Sequence, residues 1–261
     1  MDDPGPTISI VDRVVDALAA QQAELTALLA GLAVADWRAP TRCDGWDVSD
    51  VVLHLVQSNE MAIGSATGRF AAVLAGLTGG IGPAGSVDDG AAQMVTRERG
   101  LTPAEIEQRW TSGAARLLDA LRAIDLSTRV DWVAGALSAR TLATTRQAET
   151  WIHTGDVADA LGITLAPTDD LRLIARLAWR TLPYAFSSVG SILAGPVSFR
   201  LLSPGGEPWD FLPDQPAVTT ITGPAVELCA VAARRLAPSA TTLRGVGPDA
   251  AQVLSLVRTY A

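Results

Sequence analysis

The chain of 261 residues contains two histidines, His54 and His153, and the second stands four residues after Glu149. On an α-helix that spacing sets both side chains on one face, about 6 Å apart along the axis, where one ion can be reached by both. If His54 joins them, two imidazoles and a carboxylate form the three-ligand set of a catalytic zinc site, whose fourth position stays open. Fe(II) and Ni(II) accept the same donors. Asp156, three residues beyond His153, suits an outer carboxylate that orients the histidine, or an alternative oxygen ligand. The same spacings also fit a plainer reading, with packed or solvent-facing histidines and an i,i+3 ion pair between Arg146 and Glu149. Cys43 and Cys229 read as structural, since neither has a second cysteine nearby. Other chemistries lack their residues: there is no lysine for a Schiff base, no G-K-[ST] phosphate loop and no G-x-S-x-G elbow.

These side chains need a scaffold, and the apolar spacing supplies one. Val11, Val14, Val15, Leu18, Leu25, Leu28, Leu29 and Leu32 recur at helical intervals, predicting a helix from Ile10 that ends near Gly31. The turn-rich, tryptophan-bearing segment from Asp36 to Trp46 predicts an ordered loop, with Trp46 and Trp151 near enough in sequence to the candidate ligands to line a pocket. A second helix, carrying His54, is expected from Asp47 or Ser49 to Ile63. The glycine-rich segment Gly76 to Gly90 reads as a mobile loop. Thr102-Pro103-Ala104-Glu105 spells a helix start, with Ile106, Trp110, Leu117, Leu121 and Ile124 on one face. A fourth helix from Ala139 or Thr141 to Leu161 carries an unusual polar stripe of Arg146, Glu149, His153 and Asp156. Four long helices in residues 1–165 predict a helical bundle.

Beyond Pro167 the pattern becomes mixed. A helix is expected over Asp169 to Leu182, then strands at Val197 to Leu202, Trp209 to Phe211, Ala217 to Thr222 and Thr241 to Val246, with helices at Pro224 to Leu236 and Pro248 to Tyr260. The reading is therefore an α+β protein with a helical domain at 1–165 and a small α+β domain at 166–261.

Composition narrows the partners. Twenty arginines stand against 28 acidic residues, a net charge of −8, which repels nucleic-acid backbones. No apolar run approaches the roughly 20 residues of a membrane span. The acidic start, Met1-Asp2-Asp3-Pro4, lacks the basic segment of a secretory signal, so a cytoplasmic protein is expected.

The segment Asp36-Trp37-Arg38-Ala39-Pro40-Thr41-Arg42-Cys43-Asp44-Gly45-Trp46-Asp47-Val48, followed by Asp50-Val51-Val52-Leu53-His54-Leu55, resembles the DWxxPTxCxGWxVxDVxxHL stretch of mycothiol-dependent maleylpyruvate isomerases and related DinB-like metalloenzymes. Glu149 to Gly162 resembles their second metal-binding segment. Residues 221–227 and 247–250 resemble their small, sterol-carrier-like C-terminal domain. The resemblance implies a DinB-like four-helix bundle with a divalent site, Zn2+ above all, at His54, Glu149 and His153. It implies that mycothiol, the low-molecular-weight thiol of actinobacteria, binds the metal as a thiolate. It also implies an arginine from the C-terminal domain near the active site, at Arg235 or its neighbour Arg234.

The leading expectation is thus a metal-dependent enzyme that activates a thiol for isomerisation or S-transfer on a small electrophile, with Asp156 orienting His153 or shuttling a proton, and Arg235 or Arg146 holding a carboxylate or enolate oxygen. Two rivals use the same ligands: a thiol-independent metalloenzyme performing hydrolysis, elimination or cyclisation, and a non-catalytic metal-dependent binding protein. Substrate and oligomeric state are not encoded in any motif.

Overall fold

The structure, a computed structural model, describes residues 10–80, 85–133 and 135–259, with backbone alone for 10–12. The acidic start, the Val11 side chain, Ile81-Gly82 and Tyr260 lie outside the described residues. The chain divides into two compact units, Met1–Leu165 and Ala166–Ala261. No helix among the described residues is long and apolar enough to cross a membrane.

In the first unit α1 (Ile10–Leu29), α2 (Val48–Ala66), α5 (Pro103–Ala123) and α6 (Ala139–Ala160) form the bundle, with α3 (Phe70–Thr78) and α4 (Val87–Glu98) between the second and third of these. The starts of α2, α5 and α6 are set by side chains that satisfy the free N–H groups of a first turn. Asp47 and Asp50 form a capping box on α2, Thr102 and Glu105 another on α5, and Ser138 caps α6. The apolar faces meet in a core of Leu25, Leu29, Trp37, Val48, Val51, Val52, Leu55, Val56, Ile106, Trp110 and Val157.

One expectation fails in this unit, and one element was not foreseen. The Gly76 to Gly90 segment is not one loop. Helix α3 runs into it and stops at Gly79, whose φ of 62° closes the helix in the left-handed conformation, and α4 begins within it, capped by Ser86. Gly79, one of the glycines that suggested mobility, is a helix stop. A two-residue hairpin, β1 (Arg129–Val130) with β2 (Leu137–Ser138), precedes α6 and was too short to leave a pattern.

The second unit is α7 (Leu171–Arg180), α8 (Leu182–Ser187), β3 (Val197–Leu202), β4 (Pro208–Phe211), β5 (Thr219–Pro224), α9 (Ala225–Ala232), β6 (Arg244–Val246) and α10 (Ala250–Leu256). The sheet order is β4-β3-β5-β6, with β3 antiparallel to β4, parallel to β5, and β5 antiparallel to β6. The helix expected over Asp169 to Leu182 breaks at Thr181, and Pro183 sits in the first turn of α8, where its missing N–H costs nothing. The helix expected to reach Leu236 ends at Ala232: Arg234 takes a φ of 59°, and the N–H groups of Arg235 and Leu236 both turn back to the Ala230 carbonyl. Sheet and helices together make the α+β class.

Candidate metal centre

Helix α6 carries the site because it breaks the usual rule for a bundle helix. It buries Arg146, Gln147, Thr150, His153, Thr154 and Asp156 beside Leu142, Ile152 and Val157. Buried polar groups are costly unless partnered, so this stripe demands partners. Facing it, α2 presents His54 between buried Val51, Leu55 and Ser58.

Glu149 stands between the two histidines. Its Oε2 lies 3.5 Å from His54 Nε2 and 3.6 Å from His153 Nε2. The imidazole centroids are 5.0 Å apart, edge to face. These separations are long for hydrogen bonds. They suit coordination better, since donors about 2.0–2.1 Å from one tetrahedral ion stand about 3.3–3.4 Å from each other. All three donor atoms lie within 4.8 Å of one another, so the residues fit a divalent ion.

The far side of His153 is held as well. Its Nδ1 lies 2.9 Å from Asp156 Oδ2, and Asp156 is 1% exposed. With the Nδ1 proton directed to that carboxylate, loss of the Nε2 proton turns a lone pair toward Glu149 and His54, the form a ligand needs. The Cys43 thiol also donates to Asp156 Oδ2, at 3.2 Å, and its Sγ is 3.9 Å from His153 Nδ1. Cys43, His153 and Asp156 thus form a second cluster of ligand-type atoms that shares His153 with the first. Cys43, read from the sequence as structural, thus lies against the candidate site. Cys229 is different: it is buried, its thiol meets the Leu171 carbonyl, and burial pushes it far above the usual thiol range.

The loop before α2 delivers Cys43 and Trp46. The N–H and hydroxyl of Thr41 both donate to the Trp46 carbonyl, the Trp46 N–H donates to the Cys43 carbonyl, and Gly45 turns the chain at a φ of 72°. Trp37 is buried beneath, and Pro40 pairs with Asp47 just ahead of the α2 cap. Trp46 thereby reaches His54, with ring centroids 5.4 Å apart.

Charge follows from these contacts. Burial lowers the His54 pKa despite the pull of Glu149. Burial also opposes charge on His153, but the Asp156 carboxylate, the Cys43 contact and Glu149 outweigh it and raise that pKa well above the ordinary value. Burial would raise Glu149, yet the two imidazoles and the charge of Arg146 hold it well below the carboxylate range. Arg146, 2% exposed, is pushed down by burial to about 10 and remains a cation at neutral pH.

The i,i+3 ion pair of the plainer reading, between Arg146 and Glu149, does not form: among the described residues Glu149 pairs with the histidines, and Arg146 has no salt bridge. Arg235 belongs to the C-terminal unit, where its Nη1 donates to the Ala233 carbonyl at 3.1 Å. Its neighbour Arg234 donates to the Ser255 carbonyl. The structure therefore gathers His54, Glu149, His153 and Asp156, adds Cys43, and sets Arg146 one helical turn away. Cys43 was missed because its partners are 110 and 113 residues distant in sequence.

Comparison with known proteins gives a consistent picture. Residues 18–158 match the family model of the mycothiol maleylpyruvate isomerase N-terminal domain. Two uncharacterized proteins of Mycobacterium tuberculosis, from strains CDC 1551 / Oshkosh and ATCC 25618 / H37Rv, are each 33% identical over 263 residues, covering 100% of this chain and 97% of theirs. The crystal structure of the mycothiol-dependent maleylpyruvate isomerase superposes with a TM-score of 0.58 at 19% identity, covering 87% of this chain and 90% of that one. A histidine-to-alanine mutant of it gives 0.59 at 18%, with coverage of 89% and 92%. At these identities the structural matches speak for the fold.

Proposed function

The chain belongs to the mycothiol maleylpyruvate isomerase family, and from that premise we propose that it is a divalent-metal-dependent enzyme, using a low-molecular-weight thiol of the mycothiol kind for isomerisation or S-transfer on a small electrophile. The observation that carries the reading is the placement of His54 Nε2 and His153 Nε2 at 3.5 and 3.6 Å from Glu149 Oε2. His54, Glu149 and His153 are the ligands in this reading, and Zn2+ is the favoured ion, with Fe2+ and Ni2+ as the alternatives the donor set admits.

When bound, the ion supplies Lewis acidity that lowers the pKa of a thiol, so that a nucleophile exists at neutral pH. The rest falls to the chain. Asp156 holds the proton of His153 on Nδ1 and fixes the ring plane, the role an outer carboxylate plays toward a ligating histidine. Cys43 donates to the same carboxylate oxygen and restricts its rotation. Trp46 lies against His54 and limits water on that side.

The test is metal analysis of the untagged protein, then reaction rates with maleyl-type and epoxide electrophiles, with and without mycothiol. About one equivalent of divalent metal, lost in His153→Ala, and a rate that requires the thiol are expected. A metal-loaded protein with neither thiol affinity nor thiol-dependent turnover would exclude this activity.

A further inference from the structure

The buried cation of α6 has two nitrogens without a hydrogen-bond partner among the described residues. Among the described residues Arg146 makes no hydrogen bond through Nε or Nη2, both of which are shielded from solvent, and no salt bridge. These two nitrogens are not an arbitrary pair. Their N–H bonds lie along one edge of the guanidinium and point the same way, the fork that receives both oxygens of a carboxylate. A guanidinium at 2% exposure with an empty fork is desolvated, and the Glu149 charge offsets part of that cost without a hydrogen bond to either nitrogen of the fork. Such an exception to the pairing of buried polar groups needs a physical reason.

The surroundings indicate what would complete it. Arg146 precedes Glu149 by one turn on the same face, close enough for its charge to lower the pKa of both Glu149 and His54. Glu149 directs its Oε2 to the histidines, so it leaves the fork to another acid. Its electrostatic reach to Glu149 and His54 sets the fork near the candidate ligands, in the range of a small molecule that carries both a carboxylate and a reacting carbon.

We propose that Arg146 is a substrate-binding residue, whose Nε and Nη2 take the carboxylate of a reactant brought to the His54–Glu149–His153 centre. The inference rests on the reading of those three residues as the reaction centre. A carboxylate on the electrophile and one on the thiol offer the fork the same chemistry. The selectivity that follows is for an acid over its neutral ester or amide, because an uncharged group leaves the cation unpaired.

The test is calorimetric titration of the full chain, metal-free and metal-loaded, with maleate, dimethyl maleate, N-acetylcysteine and N-acetylcysteine amide. Binding of maleate that falls at least tenfold in Arg146→Lys, where charge survives but the fork does not, places the carboxylate on the electrophile. The same loss for N-acetylcysteine, with its amide indifferent, places it on the thiol. The metal-free titration separates this from the proposed activity, since the fork can receive a carboxylate in a protein whose thiol chemistry fails. Arg146→Met adds a readout that a structural role would not give: its thermal midpoint rises as carboxylate binding is lost, because an unpaired buried charge has been removed. Equal affinity for acid and ester, unchanged affinity in Arg146→Lys, or a fall in thermal midpoint with carboxylate binding intact would overturn the proposal and leave a bound water as the occupant of the fork.

Discussion

Helices α5 and α6 are nearly equal in length, 21 and 22 residues, and belong to the same bundle, yet they bury opposite kinds of side chain. The α5 face is Ile106, Trp110, Gly113, Ala114, Leu117 and Leu121, and its polar residues face outward. The α6 helix buries an arginine, a histidine, an aspartate and several threonines. The first arrangement gains free energy from removing apolar surface from water. The second spends desolvation on groups that stabilise the fold only when their partners are in place. One helix holds the bundle together, and the other uses the resulting rigidity to fix a constellation.

The largest expected effect lies on α5. Trp110 is fully buried, and its indole N–H donates to Thr26 Oγ1 at 2.9 Å. Trp110→Ala should lower folding stability by about 3–5 kcal/mol, measured by urea denaturation, since large aromatic deletions leave cavities. The folded fraction should bind metal as the wild type does. An Asp156→Asn change should behave the opposite way. It keeps an acceptor for His153 Nδ1 but removes the charge, so metal affinity should drop about 10–100-fold, with a smaller loss of folding stability than in Trp110→Ala. The comparison breaks if Asp156→Asn unfolds the chain as readily as Trp110→Ala does, or if its metal affinity is unchanged in a competition titration.

The same contrast explains what the residues revealed before the structure. Helix α5 is legible because Thr102, Pro103 and Glu105 announce its start and an apolar face continues it. Strand β3 is legible from end to end because Val197-Ser198-Phe199-Arg200-Leu201 alternates apolar and polar residues and the run is bounded by turn residues. The pair Glu149 and His153 was visible because helical spacing is local. Cys43 was not, because only folding brings its loop against His153 and Asp156. Nor was the open fork of Arg146: its spacing from Glu149 suggested an ion pair, and the histidines took that carboxylate instead. Glycine misled at Gly79, where a helix stop and a flexible loop use the same residue for the same freedom of φ.

The smallest effects sharpen the α5 side of the comparison. Thr102→Ala removes the hydroxyl that accepts from the Glu105 N–H and should cost about 1 kcal/mol by thermal or urea unfolding, as N-cap losses do. Glu105 adds a pH signature. Its carboxylate accepts from the Thr102 N–H and hydroxyl, both at 2.7 Å, and these bonds lower its pKa in the folded state. Because the folded pKa is the lower one, the contribution is complete above the unfolded carboxylate pKa and is lost as pH falls through the folded value. Glu105→Gln should therefore unfold slightly earlier than wild type at pH 7, and the gap should close in strongly acidic buffer. Metal affinity at neutral pH should be the same in both. A gap that persists in acid would mean the cap acts through its shape rather than its charge, and a change in metal affinity would mean that α5 is not the passive partner of α6.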